Sequence, residues 1–157
     1  MATKQELTNG LQFLIDEGKR IGSQLDEAGW AKVQDLDGWK NKEVLAHVAA
    51  IGTIVVPFMG GFANSALGAD NRAGVDINAL NAQLVAARAG KWVQELVDEI
   101  ESAHKGVIEF VKGQPDDFFA QKRTFGGYVD VPMSDLMHRM VVLHGVAHIY
   151  SAYAATM

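Results

Sequence analysis

The sequence predicts an all-α protein, a single four-helix bundle occupying residues 1–157 as one domain, and three observations carry that expectation. Apolar residues recur at alternating steps of three and four along most of the chain. Stretches containing Gly and Pro separate those periodic segments. No internal repeat, low-complexity tract or second hydrophobic cluster interrupts the plan.

The first segment sets Leu7, Leu11, Leu14, Ile21 and Leu25 on one seam, with Gly18 in the vacant step, and predicts a helix that ends near Gly29. Leu36-Asp37-Gly38-Trp39 then reads as a turn. A second helix starts around Asn41 with Val44, Val48, Ile51 and Val55 as its inner stripe; Pro57, which lacks the amide a helix needs, is expected to stop or kink it. The run from Ala63 to Asp76, rich in Ala, Gly, Asn and Asp, reads as a long mobile connection. Periodicity resumes at Leu80, Leu84 and Ala87 and continues through Val93, Leu96, Ile100, Ala103, Val107 and Phe110, predicting one long third helix bent near Gly90. Gly113 and Pro115 close it, and Thr124 to Val129 suits a small hairpin or an extended loop. The fourth helix is expected to start after Pro132 with Ser134 as its N-cap, and Met133, Met137, Met140, His144, Ala147, Ser151 and Ala154 form its seam.

Composition narrows the function. With 14 Lys+Arg against 19 Asp+Glu, the formal net charge is −5, and no basic cluster offers the phosphate-binding footprint of a nucleic-acid protein. The absence of Cys removes thiolate metal sites and a Cys nucleophile, so any metal must be held by His, Asp or Glu. Val44 to Ala69 carries no charged residue and is long enough to span a bilayer, but its His, Pro, Asn and glycines favour a helix buried in a soluble core over a membrane span. Polar residues from Met1 to Glu6 lead straight into an amphipathic pattern, so no signal peptide is read and the cytoplasm is the expected location.

Five histidines carry the candidate chemistry: His47, His104, His138, His144 and His148. A step of four in a helix turns the chain by about 400°, so His144 and His148 project within roughly 40° of each other and can grip one ion. His138 points about 120° away from His144 and falls on a flank. A pair from one helix needs a third donor, and His47, on the inner face of the second helix, supplies it, with Glu43 one turn earlier as an acceptor for its other ring nitrogen. His104 borders the core on the third helix; it is either an interfacial histidine with its tip in water or an alternative or fourth ligand. Neutral imidazoles suit zinc, nickel, copper or ferrous iron. Three protein ligands leave a position open, the arrangement that lowers the pKa of bound water toward about 7 or holds a substrate thiol or hydroxyl.

These residues form a recognisable pattern. Gly38-Trp39 followed by Lys42-Glu43-Val44-Leu45-Ala46-His47 resembles the opening of helix two in the DinB superfamily, which includes the metal-binding domains of mycothiol-dependent maleylpyruvate isomerases. His144-Gly145-Val146-Ala147-His148 is similar to the H-x-x-x-H of its last helix, and Asn81 to Arg88, Trp92, Glu95-Leu96 and Ser102-Ala103-His104 look like its middle helix. The resemblance implies an up-down-down-up four-helix bundle, a divalent ion that is often zinc or nickel, and His47, His144 and His148 as its ligands. The isomerase branch usually has Glu where this chain has His144, and Lys40 stands where relatives commonly cap helix two with Thr or Ser.

Two functions follow from this reading. In the first, the ion activates water or a low-molecular-weight thiol, giving a hydrolase or thiol transferase acting on a small molecule; Gly60-Gly61, the connection around Asn71 and the Phe125 to Tyr128 loop are candidates to shape the pocket. In the second, the metal-binding bundle is not catalytic and serves stress-linked binding or homodimer formation, with Trp30, Trp92 and the Met-rich last helix as apolar surfaces. No nucleophile motif such as G-x-S-x-G is present.

Overall fold

The computed structural model, which describes residues 1–34 and 38–157, starts with a helix whose cap is explicit in the sequence. Thr3 accepts the Glu6 amide and the Glu6 carboxylate accepts the Thr3 amide at 2.7 Å, a reciprocal box that opens α1 (Lys4–Gly22). Leu7, Leu11, Leu14, Gly18 and Ile21 form its buried seam, as their spacing predicts. The helix ends at Gly22, earlier than expected. Asp26 accepts the Gly29 amide at 2.8 Å and caps a separate short helix, α2 (Glu27–Ala31), a local bond that competes with continuation of α1. The turn expected over Leu36-Asp37-Gly38-Trp39 lies mainly outside the described residues; Gly38 has φ 67°, a conformation that favours glycine.

The next helix, α3 (Asn41–Asn64), passes through Pro57 without stopping. Pro57 is exposed, while Val55, Met59 and Phe62 around it are buried, and that packing outweighs one missing backbone hydrogen bond in a 24-residue helix. Every residue from Val44 to Ala50 is buried. By length and composition α3 is apolar enough to cross a membrane, yet half of its residues lie inside the protein.

The predicted long third helix is two helices. The first, α4 (Ile77–Ala86), opens on Asp76, which accepts the Ala79 amide at 3.0 Å; the second, α5 (Val93–Gly113), restarts where Glu95 accepts the Trp92 amide at 2.6 Å. Between them Arg88 donates to the Leu84 carbonyl at 2.9 Å and, with Lys91, to the Glu99 carboxylate at 2.7 and 2.8 Å. These bonds fold the link back on α5, where a continuous helix would have carried both cations away from Glu99. A short helix, α6 (Asp116–Ala120), then leads to an antiparallel hairpin, β1 (Lys122–Phe125) with β2 (Tyr128–Pro132), which resolves the Thr124–Val129 alternatives in favour of a hairpin. The Ala63–Asp76 connection is tied to that hairpin: the Asn71 amide donates to the Thr124 carbonyl at 3.0 Å and Asp70 accepts the Gly126 amide at 2.7 Å.

The last helical segment begins with α7 (Met133–Met137), passes through a π-helical turn over His138–Leu143, and continues as α8 (His144–Ala154). Ser134 is not an N-cap acceptor, because the helix starts one residue earlier and its hydroxyl is buried; Asp135 instead accepts the Ala2 amide at 2.6 Å. The expected seam also drifts. Met133 and Met137 are buried, but the line continues through Val141, Gly145, Ile149 and Ala152, leaving His144 and Ala147 exposed. A π turn closes on the fifth residue, so it adds a residue to the turn and rotates everything after it.

Packing joins the long elements in sequence: α1 runs along α5, α5 along α3, α3 along α8, and α8 returns to α1, with α4 and α2 laid on α3. Two buried clusters result. One centres on Leu7, Leu11, Met59, Val107, Leu136 and Met137, the other on Leu14, Ile21, Leu45, Leu96, Ile100 and Ile149. Trp30, expected as a surface anchor, is 5% exposed in the second cluster, whereas Trp92 is on the surface.

Candidate metal centre

His47 reaches its position because the start of α3 is clamped. The Gln34 amide donates to Asn41 at 2.9 Å, the Asn41 amide to the Gly29 carbonyl at 2.8 Å, and the Glu43 carboxylate accepts the Lys40 amide at 2.7 Å. His144 and His148 come from α8, one turn apart, with ring centroids separated by 4.3 Å. Between them in sequence Gly145 lets α8 approach α1: a Cβ there would collide with Leu14 Cδ1.

The three side chains meet. His144 Nε2 lies 3.0 Å from His47 Nε2 and 3.1 Å from His148 Nε2, and three donor atoms of the group fall within 4.8 Å of one another. A single Nε2 carries one proton or one lone pair and serves only one such contact well, whereas a cation facing three lone pairs serves all of them. Nitrogens bound at about 2.05 Å stand roughly 2.9 Å apart at right angles and roughly 3.3 Å apart at the tetrahedral angle, so the observed spacings suit a shared divalent ion. Burial, reinforced by the charges of His148 and His144, pushes the His47 pKa down to about 3, which keeps it a neutral ligand.

Two neighbours of the cluster depart from expectation. Glu43 does not accept from His47, since its carboxylate is used at the start of α3; His47 Nδ1 is buried with no hydrogen-bond partner among the described residues. The ring is held instead by packing against Trp39, centroid to centroid 5.3 Å. His104 is neither a ligand nor a histidine with its tip in water. It is fully buried, with Nδ1 2.8 Å from the Ile100 carbonyl, and lies outside the cluster. His138 also stands apart from it.

The cluster borders two cavities. On one side is an apolar cavity of about 260 Å³ walled by Ile51, Val55, Phe58, Leu80 and Phe125, with Tyr128 and Arg139 among its lining residues. On the other is a more polar space of about 410 Å³ lined by Trp39, Asn78, Asn81 and His148. His47, His144 and Asn81 belong to both. Phe125 and Tyr128 fall in the loop expected to shape the pocket, while Gly60, Gly61 and Asn71 do not line either cavity. Arg139 escaped sequence reasoning because it lies five residues before His144. In an α-helix those positions diverge by about 140°, but the His144 amide donates to the Arg139 carbonyl in the π turn, which brings both residues to the apolar cavity.

No family model matches the chain, and no curated protein matches it in sequence. Among solved structures, mycothiol-dependent maleylpyruvate isomerase superposes with a TM-score of 0.72 at 16% identity, covering 96% of this chain and 61% of that one. A histidine-to-alanine variant of that enzyme gives 0.71 at 15% identity with the same coverage. This chain therefore has the DinB-like helical fold of that isomerase and spans about three fifths of its length.

Proposed function

We propose that the protein is a metal-dependent enzyme in which His47, His144 and His148 hold one divalent ion, zinc or nickel, for attack on a small molecule by water or a low-molecular-weight thiol. The observation that carries this reading is the convergence of three imidazoles from two distant helices beside open cavities, with His144 Nε2 3.0 and 3.1 Å from the Nε2 atoms of His47 and His148 and one donor atom of each ring within 4.8 Å of the others. A bound ion supplies Lewis acidity and lowers the pKa of a coordinated water or thiol. The chain's own residues do the rest: His47, neutral and buried, and the α8 pair orient three lone pairs toward one point, and the apolar wall limits water on one side. The fold shared with an enzyme named for its thiol dependence supports the thiol branch of the reading. A finer description of the fold, an up-down-down-up four-helix bundle forming one domain over residues 1–157, rests on the cyclic packing of α1, α5, α3 and α8.

The test begins with elemental analysis of untagged protein never exposed to chelator. About one zinc or nickel per chain is expected, and less than roughly one ion per several chains overturns the reading. His144→Ala is expected to lose the ion with helicity intact, because its side chain is exposed. Metal-loaded wild type is then assayed with thiols and electrophiles, and with hydrolysable esters and amides. Activity lost in His144→Ala supports catalysis, whereas full activity in the metal-free variant refutes a catalytic ion.

A further inference from the structure

The apolar cavity beside the histidine cluster has an asymmetric polar complement. Among the described residues that line it, Arg139 is the one cation beside the imidazoles of His47 and His144, and none is a carboxylate, in a chain whose net charge is −5. Among the described residues the Arg139 guanidinium has neither an ion-pair nor a hydrogen-bond partner. It lies 5.9 Å from the centroid of the Tyr128 ring, which also lines the cavity. At that distance the cation feels the ring face, and its N–H groups keep their capacity for a bidentate acceptor. At about 30 Å³ per water-sized group, 260 Å³ accommodates roughly nine such groups, a short aliphatic or single-ring body.

We propose that this cavity takes a small monocarboxylate with an apolar body, its carboxylate paired with Arg139 and its body against Phe58, Val55 and Phe125. This deepens the reading of the site as a metal-dependent enzyme by naming the chemical class of its substrate, and it rests on that reading for the link to catalysis. Arg139 is a specificity residue here. It selects the acid over a neutral molecule of equal shape, because a charge-assisted fork has no counterpart in an amide. The π turn is what places Arg139 and His144 at one cavity, so the acid end and the metal-binding side chains are held in fixed relation by one helical turn.

The test compares phenylacetate with phenylacetamide, and with acetate, by NMR titration and calorimetry. It uses wild type, Arg139→Met and Arg139→Lys, each metal-free and zinc-loaded with metal content measured on the same samples. In wild type phenylacetate is expected to bind about tenfold or more tighter than phenylacetamide, with acetate weaker than both. Arg139→Met is expected to abolish the preference for the acid, and Arg139→Lys to restore part of it. Absence of phenylacetate binding in wild type overturns the proposal, as does a preference that survives Arg139→Met. A preference present only with zinc and indifferent to Arg139 means that the ion holds the carboxylate, which sinks this proposal and leaves the metal reading standing. An Arg139-dependent preference in protein that retains no ion supports the carboxylate pocket while the metal reading falls.

Discussion

Gly52 of α3 lies directly against His104 and Ala103 of α5. A Cβ on Gly52 would lie 2.6 Å from His104 Cε1 and 2.9 Å from Ala103 Cβ, so Gly52→Ala overpacks the interface. The expected cost is about 1–3 kcal/mol in urea denaturation. His104→Ser should recover part of it in the double variant, because the ring is the obstacle; strictly additive effects would show that the contact is not the cause. Acid tests His104 in another way, together with His47. Burial holds the pKa values of both His47 and His104 below the ordinary histidine value near 6.5, with the His104 shift opposed in part by its bond to the Ile100 carbonyl. The unfolded chain therefore takes up protons as pH falls below about 6.5 that the folded chain refuses, and stability declines with falling pH. For His47 the decline continues to about pH 3. Between pH 6.5 and 5.0 it amounts to about 1.6 kcal/mol in metal-free protein, since the slope reaches its full 1.36 kcal/mol per pH unit only once the unfolded histidine is protonated. Most carboxylate protonation falls below pH 5, so denaturation curves at pH 6.5 and 5.0 weight the histidines most heavily. Equal stability at the two pH values would contradict the buried, neutral state of His47.

At the scale of elements, the end of α3 depends on a side chain from β1. Arg123 is 7% exposed; its Nε donates to the Phe62 carbonyl at 2.6 Å and a terminal nitrogen to the Ala63 carbonyl at 2.9 Å. The last turn of α3 has no basic residue of its own, so this buried guanidinium brings charged donors to its carbonyls, of which Phe62 also accepts from Ser65, and faces the negative end of the helix dipole. Arg123→Met is expected to cost about 2–4 kcal/mol, and Arg123→Lys to recover only part, since an ammonium cannot fork. A loss below about 1 kcal/mol would mean that water replaces the cap. Such long-range bonds explain what was legible in the chain and what was not. The seams of α1 and α5, the start of α3 and the three clustered histidines follow from local periodicity and short motifs, which lie within a few residues of one another. The break between α4 and α5 depends on Arg88 and Lys91 finding Glu99, the passage through Pro57 on packing around it, and the exposure of His144 on a π turn that no α-helical spacing encodes. The angular argument succeeded for His144 and His148 because both lie after that turn, in regular α8. It misplaced the pair relative to the core because the seam was counted across the turn.

For the whole molecule, the question is how far the ion and the fold depend on each other. The two apolar clusters contain residues from every long helix, and neither includes His144 or His148. Only His47 among the three is buried, and its ring packs against Trp39. The core therefore holds its shape before the ion arrives, unlike a zinc finger, whose few apolar residues cannot fold alone. An ion that binds the folded chain at a free concentration 100 times its dissociation constant adds about 2.7 kcal/mol. For a chain of this length 1 kcal/mol moves Tm by roughly 2–4 °C, so the expected gain is about 5–11 °C. Chelation should lower Tm by that amount and leave far-UV circular dichroism at 20 °C unchanged, and re-addition of zinc or nickel should restore Tm. His144→Ala, which removes a donor on an exposed side chain, should melt like the chelated wild type and stop responding to either metal. Loss of helicity on chelation would mean instead that the three imidazoles are structural staples, whose mutual repulsion in the metal-free state the apolar core cannot withstand.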